Sequence, residues 1–298
     1  MTEVSISPAA RTAGRSRVSE LRRVAHVMFT RWVVVFGVIS ILVFILLAVT
    51  APWVAPFDPL EQDLRATLQP PSMRHLLGTD DLGRDVLSRI IYGSQISLMV
   101  GIVVVIIAGV IGMFMGLVAG YFGGWINAAI MRINDALMSL PPIVLMLAIS
   151  AVLGGGLKSI LISVGVVLAP TYCRLMCGQI LTLKESDFVT AANIIGANDL
   201  RIMIRHLLPN AFPPLLVLLT INLGTAIMFE ATLSFLGIGI APPTAAWGSM
   251  VMSGYRYLLK NPVLSFAPGL SIMLLVLGFN MVGDGLRDAL DPRLKGTL

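Results

Sequence analysis

The chain has 298 residues, of which 56% are hydrophobic and only 12% are charged. Its mean hydropathy of +0.88 is far above that of water-soluble proteins, which excludes a soluble globular domain. The formal net charge is +5, but no basic patch interleaved with aromatic residues accompanies it, so a nucleic-acid partner is not expected. These properties are typical of an integral membrane protein in contact with membrane lipid.

Six segments are long enough and poor enough in charge to cross the ~30 Å hydrocarbon core as helices. They cover residues 32–51, 96–121, 126–153, 160–183, 215–236 and 264–282. Residues 90–131 carry no formal charge over 42 positions, which is too long for one span, and the sequence YFGGW at 121–125 predicts a tight turn that divides them. The predicted fold is therefore an all-α, polytopic helical membrane protein with six transmembrane helices.

The orientation follows from the lysine and arginine residues, which are retained on the cytoplasmic side. An N-in, C-in topology places 14 of the 21 basic residues inside. It divides the chain into a cytoplasmic tail (1–31), a first transmembrane helix (32–51), an outer loop (52–93) and a core (94–298) that includes a cytoplasmic loop at 184–214. Because the apolar run begins only at Trp32 and has full span length, we expect no cleavable signal peptide.

The outer loop ends in a dense block of charges, HLLGTDDLGRDVLSRIIYGSQISL, which begins at His75. Its acidic residues could form a metal or catalytic cluster. The intervening Leu82 and Gly83 instead favour the capped start of a helix, with Thr79 or Asp80 as the N-cap. We expect no metal site there.

The second predicted span carries small residues at four-residue steps, namely Ala108, Gly112, Gly116 and Gly120. Such a face lets two helix backbones approach closely. Two cysteines, Cys173 and Cys177, share one face of the fourth span without a second pair for a metal site, and we expect them to be reduced core residues.

Four charged residues lie within predicted spans, and three of them, Arg132, Asp135 and Glu230, are candidate site residues. Arg132 and Asp135 are three residues apart near the cytoplasmic end of the third span, so they can neutralise each other. Glu230 has no such neighbour and should face protein or water rather than lipid. Two roles remain open for Glu230: a buried structural group, or a polar group on a path for solute.

The cytoplasmic loop contains two apolar repeats of helical spacing, which predict two short amphipathic helices. The repeats consist of Phe188, Ala191, Ala192 and Ile195, and of Leu200, Met203, Ile204, Leu207 and Leu208. Gly196 can adopt the left-handed conformation that ends the first helix, and Asn198 or Asp199 can cap the second. Pro209 is expected to end the unit. His206 is expected to be an interfacial residue, because no second histidine is spaced for metal coordination.

This helix, glycine turn and helix resemble the EAA loop of ABC importer permeases. The matching positions are Ala191, Ala192, Gly196, Leu208 and Pro209, whereas Thr190 stands where the family has glutamate and His206 where it has a hydrophobic residue. The resemblance implies that Thr190 and the five matching residues couple the chain to ATPase subunits.

Three further segments are similar to those of dipeptide, oligopeptide and nickel-type permeases, and most like the C-type member of the pair. They are GTDDLGRD at 78–85, EATLSFLGIGIAPPTAAWGSM at 230–250 and FNMVGDGLRDALDPRL at 279–294. The resemblance implies a cell inner membrane permease with a second permease subunit, two ATPase subunits and an extracytoplasmic substrate-binding protein. The small-residue face would then pack within the permease pair.

The implied solutes are short peptides, with nickel, glutathione or another small solute as the alternative. Glu230, Arg132 and Asp135 are candidate translocation or packing residues.

The competing class is an intramembrane enzyme. The chain contains neither HExxH nor GxSxG, and GGGLKS at 154–159 lacks the spacing of a nucleotide-binding loop. We therefore expect no catalytic residue, no ATPase site and no cofactor in this chain, and expect ATP to be used by the partner subunits.

Overall fold

The computed structural model describes residues 30–290. The predicted tail at 1–31 lies almost entirely outside this range, as do residues 291–298. Within it the regular structure is helical, apart from one isolated bridge between Thr79 and Asp85. The helices are α1 (Trp32–Val54), α2 (Val86–Phe122), α3 (Gly124–Met138), α4 (Pro142–Leu153), α5 (Gly156–Lys184), α6 (Asp187–Ile194), α7 (Asp199–Phe235), α8 (Trp247–Tyr255) and α9 (Val263–Leu290).

The all-α membrane fold is confirmed. Five helices of the described chain are long and apolar enough to cross a membrane, namely α1, α2, α5, α7 and α9. The helices α3 and α4 would supply a sixth span if the bent pair that they form crosses as one unit.

Helix α1 has the dimensions of a simple lipid-facing span. It is uncharged, and Trp32 and Trp53 near its two ends are 78% and 80% exposed. The 21 residues between them correspond to roughly 31 Å of helix, close to the thickness of the hydrocarbon core. Exposed tryptophans at these positions are typical of the two membrane interfaces. Helix α1 packs on α9, where Ser40 Oγ donates to the Leu274 carbonyl at 3.0 Å.

The small-residue face of α2 packs against α5. A Cβ added at Gly112 or Gly116 would stand 2.7 Å from the Cβ of Tyr172 or Met176, and one at Gly120 would stand 2.8 Å from Ile180 Cβ. The predicted close approach is therefore confirmed. The expectation that this face packs within the permease pair is wrong, because a helix of the same chain already covers it.

The third span is not the single helix that was predicted at 126–153. Helices α3 and α4 meet at 92°. Pro141 and Pro142 lie at the break, and Pro142 is the first residue of α4. Proline lacks the N–H that would continue a helix and holds the residue before it in an extended conformation. The two prolines therefore interrupt a stretch that hydropathy alone describes as continuous.

Several helices extend beyond their predicted ends. Helix α2 begins at Val86, so the predicted outer loop at 52–93 ends about two helical turns earlier than expected. Helix α1 continues to Val54 and α9 to Leu290. The predicted turn at 121–125 is confirmed at Gly123, where φ is +66°.

Candidate functional site

The docking unit, defined here as residues 186–209, has the predicted helix-turn-helix geometry. Gly196 has a φ of +77°. Its N–H donates to the Asn193 carbonyl and the Ala197 N–H to the Ala192 carbonyl, both at 3.0 Å. This is the hydrogen-bond pattern of a glycine-terminated helix. Asn198 caps the next helix, since its Oδ1 accepts from the Arg201 N–H at 2.9 Å. The turn and cap predictions are therefore confirmed.

Contrary to expectation, Pro209 does not end the second helix. Helix α7 runs unbroken from Asp199 to Phe235, and its segment Ile202–Leu207 is a π-helix, in which the Leu208 N–H bonds to the Met203 carbonyl five residues back. The wider π turn makes room for the ring of Pro209, which would crowd a carbonyl of a regular α-helix. The cytoplasmic loop predicted at 184–214 is thus continuous with a spanning helix.

The predicted apolar positions of the docking unit divide into two groups. Ala192, Met203 and Leu207 are buried, together with Val189 and Ile202, in the core cluster that also contains Ile180 of α5. The other group is exposed and consists of Phe188, Ile195, Leu200 and Ile204, with Ile194 beside them. The buried group fixes the unit to the rest of the chain, and the exposed group leaves large apolar side chains at its surface.

The other positions compared with the EAA loop lie at or near the surface. Thr190 is exposed and its Oγ1 lies 3.5 Å from the Ser186 carbonyl on its own helix. Ala191 and Pro209 are exposed, and Leu208 is half-buried. His206 is also half-buried, and its carbonyl accepts from Asn210 Nδ2 at 2.6 Å.

A polar cluster at the base of the docking unit was not identified from the sequence. Tyr121 Oη donates to Asp199 Oδ1 at 2.7 Å, and Lys184 Nζ donates to the Tyr121 carbonyl at 2.7 Å. These residues are 78 and 63 positions apart in sequence, so no local spacing indicates their contact.

The expected pairing of Arg132 with Asp135 is wrong. Asp135 Oδ1 instead accepts from Arg174 Nη2 of α5 at 2.7 Å, and both side chains are about half exposed. Helix α3 crosses α5 at this point, so the partner comes from the neighbouring helix. Arg132 is exposed and makes no ion pair within residues 30–290.

Glu230 faces protein, as predicted. It is fully buried on α7, where its Oε1 accepts from Ser234 Oγ at 2.8 Å. The same hydroxyl accepts from the Ile240 N–H at 3.1 Å. Ser234 thus links the carboxyl group to the loop that follows α7.

The charged block of the outer loop forms a compact turn. The Asp80 carboxylate accepts from Arg84 Nε at 2.7 Å and lies 3.6 Å from Arg89 Nε. Both arginines are buried, and Arg89 Nη1 donates to the carbonyls of Pro59 at 2.9 Å and Pro243 at 3.3 Å. The block therefore connects α2 to the loop before it, through Pro59, and to the loop between α7 and α8, through Pro243.

The cap of α2 differs from the prediction. Asp85 caps the helix, since its Oδ2 accepts from the Ser88 N–H at 2.8 Å, whereas Thr79 Oγ1 bonds to the Ala66 carbonyl. Asp80 is engaged by the two arginines instead. Within residues 30–290 no group of three or more His, Cys, Asp or Glu side chains is placed to hold a metal ion.

The sequence also matches known families over most of its length. Residues 108–296 match the family described as binding-protein-dependent transport system inner membrane component. The chain belongs to this family. Residues 19–71 match the N-terminal TM domain of oligopeptide transport permease C. The protein is therefore a multi-pass inner membrane permease subunit of a binding-protein-dependent ABC importer. It works with a second permease, ATPase subunits and a substrate-binding protein, and the ATPase site belongs to a separate subunit.

Curated relatives include permeases with different named solutes. The chain is 43% identical to a dipeptide transport system permease protein of Alkalihalophilus pseudofirmus, over 88% of this chain and 86% of the relative. It is 42% identical to a probable D,D-dipeptide transport system permease protein of Escherichia coli K12, over 88% of each. A glutathione transport system permease protein of E. coli O6:K15:H31 is 43% identical over 86% of this chain and 85% of the relative.

A solved structure has the same fold. A chain of the MetNI methionine ABC transporter in an inward-facing conformation superimposes with a TM-score of 0.55 at 23% identity, over 69% of this permease and 98% of that chain.

Proposed function

We propose that this permease imports short peptides and that its docking unit receives the ATPase subunits. The observation that carries the docking role is the exposure of large aliphatic side chains around the Gly196 turn. Ile194, Ile195 and Leu200 are 80%, 83% and 64% exposed, although the unit buries five other apolar residues against the permease body. Covering such side chains in an apolar groove stabilises a complex by about 25 cal/mol for each Å² removed from water.

Each family-matched residue has a place in this proposal. Gly196 sets the angle between the two helices, and Ala192 packs inward. Ala191 and Thr190 have short side chains, so the outer surface of α6 leaves room for the walls of a groove on the ATPase subunit. Leu208 and Pro209 join the unit to the rest of α7. Helix α7 carries movement of the unit into the membrane.

The docking role is tested by placing a charge in the exposed apolar group. Ile195→Glu should leave the permease folded, because the side chain is at the surface, and should remove the ATPase subunits from the purified complex. The matched control is Leu259→Glu, which alters a fully exposed aliphatic residue outside the docking unit and should keep the ATPases. Wild-type ATPase retention by Ile195→Glu would exclude the docking role.

Peptides are proposed as the substrate because relatives over most of the chain are named as dipeptide permeases. A glutathione permease is about as similar, and glutathione, itself a peptide, is the second candidate. Nickel complexes are a third, which no observation favours. Uptake of a labelled dipeptide by the complete transporter, competed in turn by glutathione and by a nickel complex, separates the three. The permease needs no cofactor of its own in this proposal, since its partners hydrolyse the ATP.

The three candidate charged residues, Glu230, Arg132 and Asp135, receive two roles. Glu230 is assigned to packing, because Ser234 and protein enclose it. Arg132 and Asp135 lie on the exposed face of α3, and charged groups at membrane depth face water or another protein chain rather than lipid. We assign them to the surface that borders the translocation path or the second permease. Reduced uptake by Arg132→Gln at normal permease level would support this role, whereas unchanged uptake would contradict it.

A further inference from the structure

Three helix ends meet on the cytoplasmic side of the permease in the predicted topology. They are the end of α2 at Tyr121, the end of α5 at Lys184 and the start of α7 at Asp199. We call these three residues the clamp. The phenol of Tyr121 bonds to the Asp199 carboxylate at 2.7 Å, and the Lys184 ammonium bonds to the Tyr121 carbonyl at 2.7 Å.

Both bonds of the clamp involve a charged group at an exposed position. A carboxylate acceptor and an ammonium donor form charge-assisted hydrogen bonds, which are shorter and stronger than neutral ones. The Tyr121 carbonyl lies in the last turn of α2, where carbonyls lack a helical donor and the helix dipole favours a cation. Lys184 Nζ also lies 5.6 Å from the centre of the Tyr121 ring, within the range of a cation–π contact.

The clamp gives the docking unit a direct bond to α2. The packing of α6 itself is against α5 and the π segment of α7. Asp199 is the first residue of α7 and follows the Gly196 turn by three positions. The bond between Asp199 and Tyr121 therefore joins the docking unit to α2.

Helix α2 is well placed to pass this movement on. It is 37 residues long and is capped at its other end by Asp85 of the outer charged block. Trp247 of α8 donates to the Ile90 carbonyl near that end at 3.0 Å. Along its length the glycine face is fixed to α5. One rigid element thus connects the docking unit with the outer loops.

We propose that Tyr121, Lys184 and Asp199 are positioning residues that transmit movement of the ATPases from the docking unit to α2 and α5. This inference rests on the docking role proposed above. The clamp holds the three helix ends at a fixed separation, so the docking unit cannot tilt without moving α2.

The test uses the complete transporter with its ATPases and binding protein, a labelled dipeptide and simultaneous measurement of ATP hydrolysis. Tyr121→Phe removes one hydroxyl and should retain the ATPases. Peptide uptake per ATP hydrolysed should fall roughly two- to tenfold, which corresponds to the net contribution of an ordinary hydrogen bond at an exposed position. Asp199→Ala should have the same effect, and the double variant should be no worse than either single one. Asp199→Asn keeps an oxygen acceptor but loses the charge, so its uptake per ATP should lie between those of Asp199→Ala and the wild type. Tyr255→Phe, on the outer side of the permease, is the matched control and should match the wild type.

Three outcomes would overturn the clamp: normal uptake per ATP in Tyr121→Phe, losses that add in the double variant, or loss of the ATPases from Tyr121→Phe. The last would show that the clamp only holds the docking unit together. Failure of the docking role can be distinguished from failure of the clamp. It would appear as retention of the ATPases by Ile195→Glu.

Discussion

Gly116 of α2 lies so close to Met176 of α5 that an added Cβ would stand 2.7 Å from Met176 Cβ. Gly116→Ala should therefore force the two helices apart and lower the free energy of unfolding by about 1–3 kcal/mol. Thermal unfolding of the purified permease measures this. Gly178→Ala is the matched control, because nothing lies within 4 Å of a Cβ there, and alanine favours a helix. Equal melting temperatures for the two variants would show that the glycine face is not tightly packed.

The outer charged block offers a comparison of two adjacent carboxylates. Asp80 contacts the buried Arg84 and Arg89, whereas Asp81 is 36% exposed and lies 4.0 Å from Arg84 Nη2. Asp80→Ala leaves two buried cations without their main partner and should destabilise the permease by about 3–5 kcal/mol. Asp81→Ala should change stability by less than about 1 kcal/mol. Similar losses in the two variants would contradict this account.

The Ser234 hydroxyl serves two buried groups, the Glu230 carboxyl and the Ile240 N–H. Ser234→Ala leaves both without this partner and should cost about 1–3 kcal/mol of stability. Thr232→Val removes a hydroxyl that bonds only to the Met228 carbonyl of its own helix and should have an effect within about 0.5 kcal/mol. Thermal unfolding of both variants measures the difference, and a neutral Ser234→Ala would exclude the network as a stabilising feature.

Gly196 adopts a φ that β-branched residues avoid. Gly196→Val should introduce about 1–2 kcal/mol of backbone strain and change the angle between the docking helices. The predicted topology places the unit outside the lipid, so membrane insertion should be normal while ATPase retention and peptide-stimulated ATP hydrolysis fall. Gly196→Asn is the control, because asparagine tolerates the left-handed region. Normal retention and hydrolysis in Gly196→Val would argue against a coupling role for the turn.

The predicted topology places residues 184–198 inside and residue 259 outside. Single cysteines at Glu185 and Leu259 test it, since both positions are exposed while Cys173 and Cys177 are buried. A membrane-impermeant thiol reagent should label Leu259→Cys in intact cells and Glu185→Cys only after permeabilisation. The reverse pattern would invert the topology.

Much of the fold follows from the sequence because composition and local conformation decide it. Long uncharged runs can be stable only as helices in lipid, and Gly196 and Asn198 act within a few residues of themselves. The break at Pro141 escaped prediction because an apolar window averages over it. The π segment also escaped, since its nearest signal is one proline at its C-terminal side.

The contacts of the candidate sites depend on geometry that spacing within one helix does not contain. Asp135 pairs with Arg174 because α3 crosses α5 there. Tyr121 meets Asp199 only once three helix ends have been brought together by packing. Charged residues could thus be recognised as candidates, but their partners could not be assigned.

The π segment of α7 amounts to one extra residue in the register of an otherwise regular helix. Deleting one residue within Ile202–Leu207 would restore an unbroken α-helix, and each residue of such a helix turns the chain by about 100° and advances it by about 1.5 Å. A π turn holds the extra residue within a single revolution, so its removal would not add this rotation, and the side chains from Asn198 backwards would keep their direction relative to the span. The π segment therefore lets α7 contain Pro209 without a change in the direction in which the docking unit presents Ile194 and Ile195.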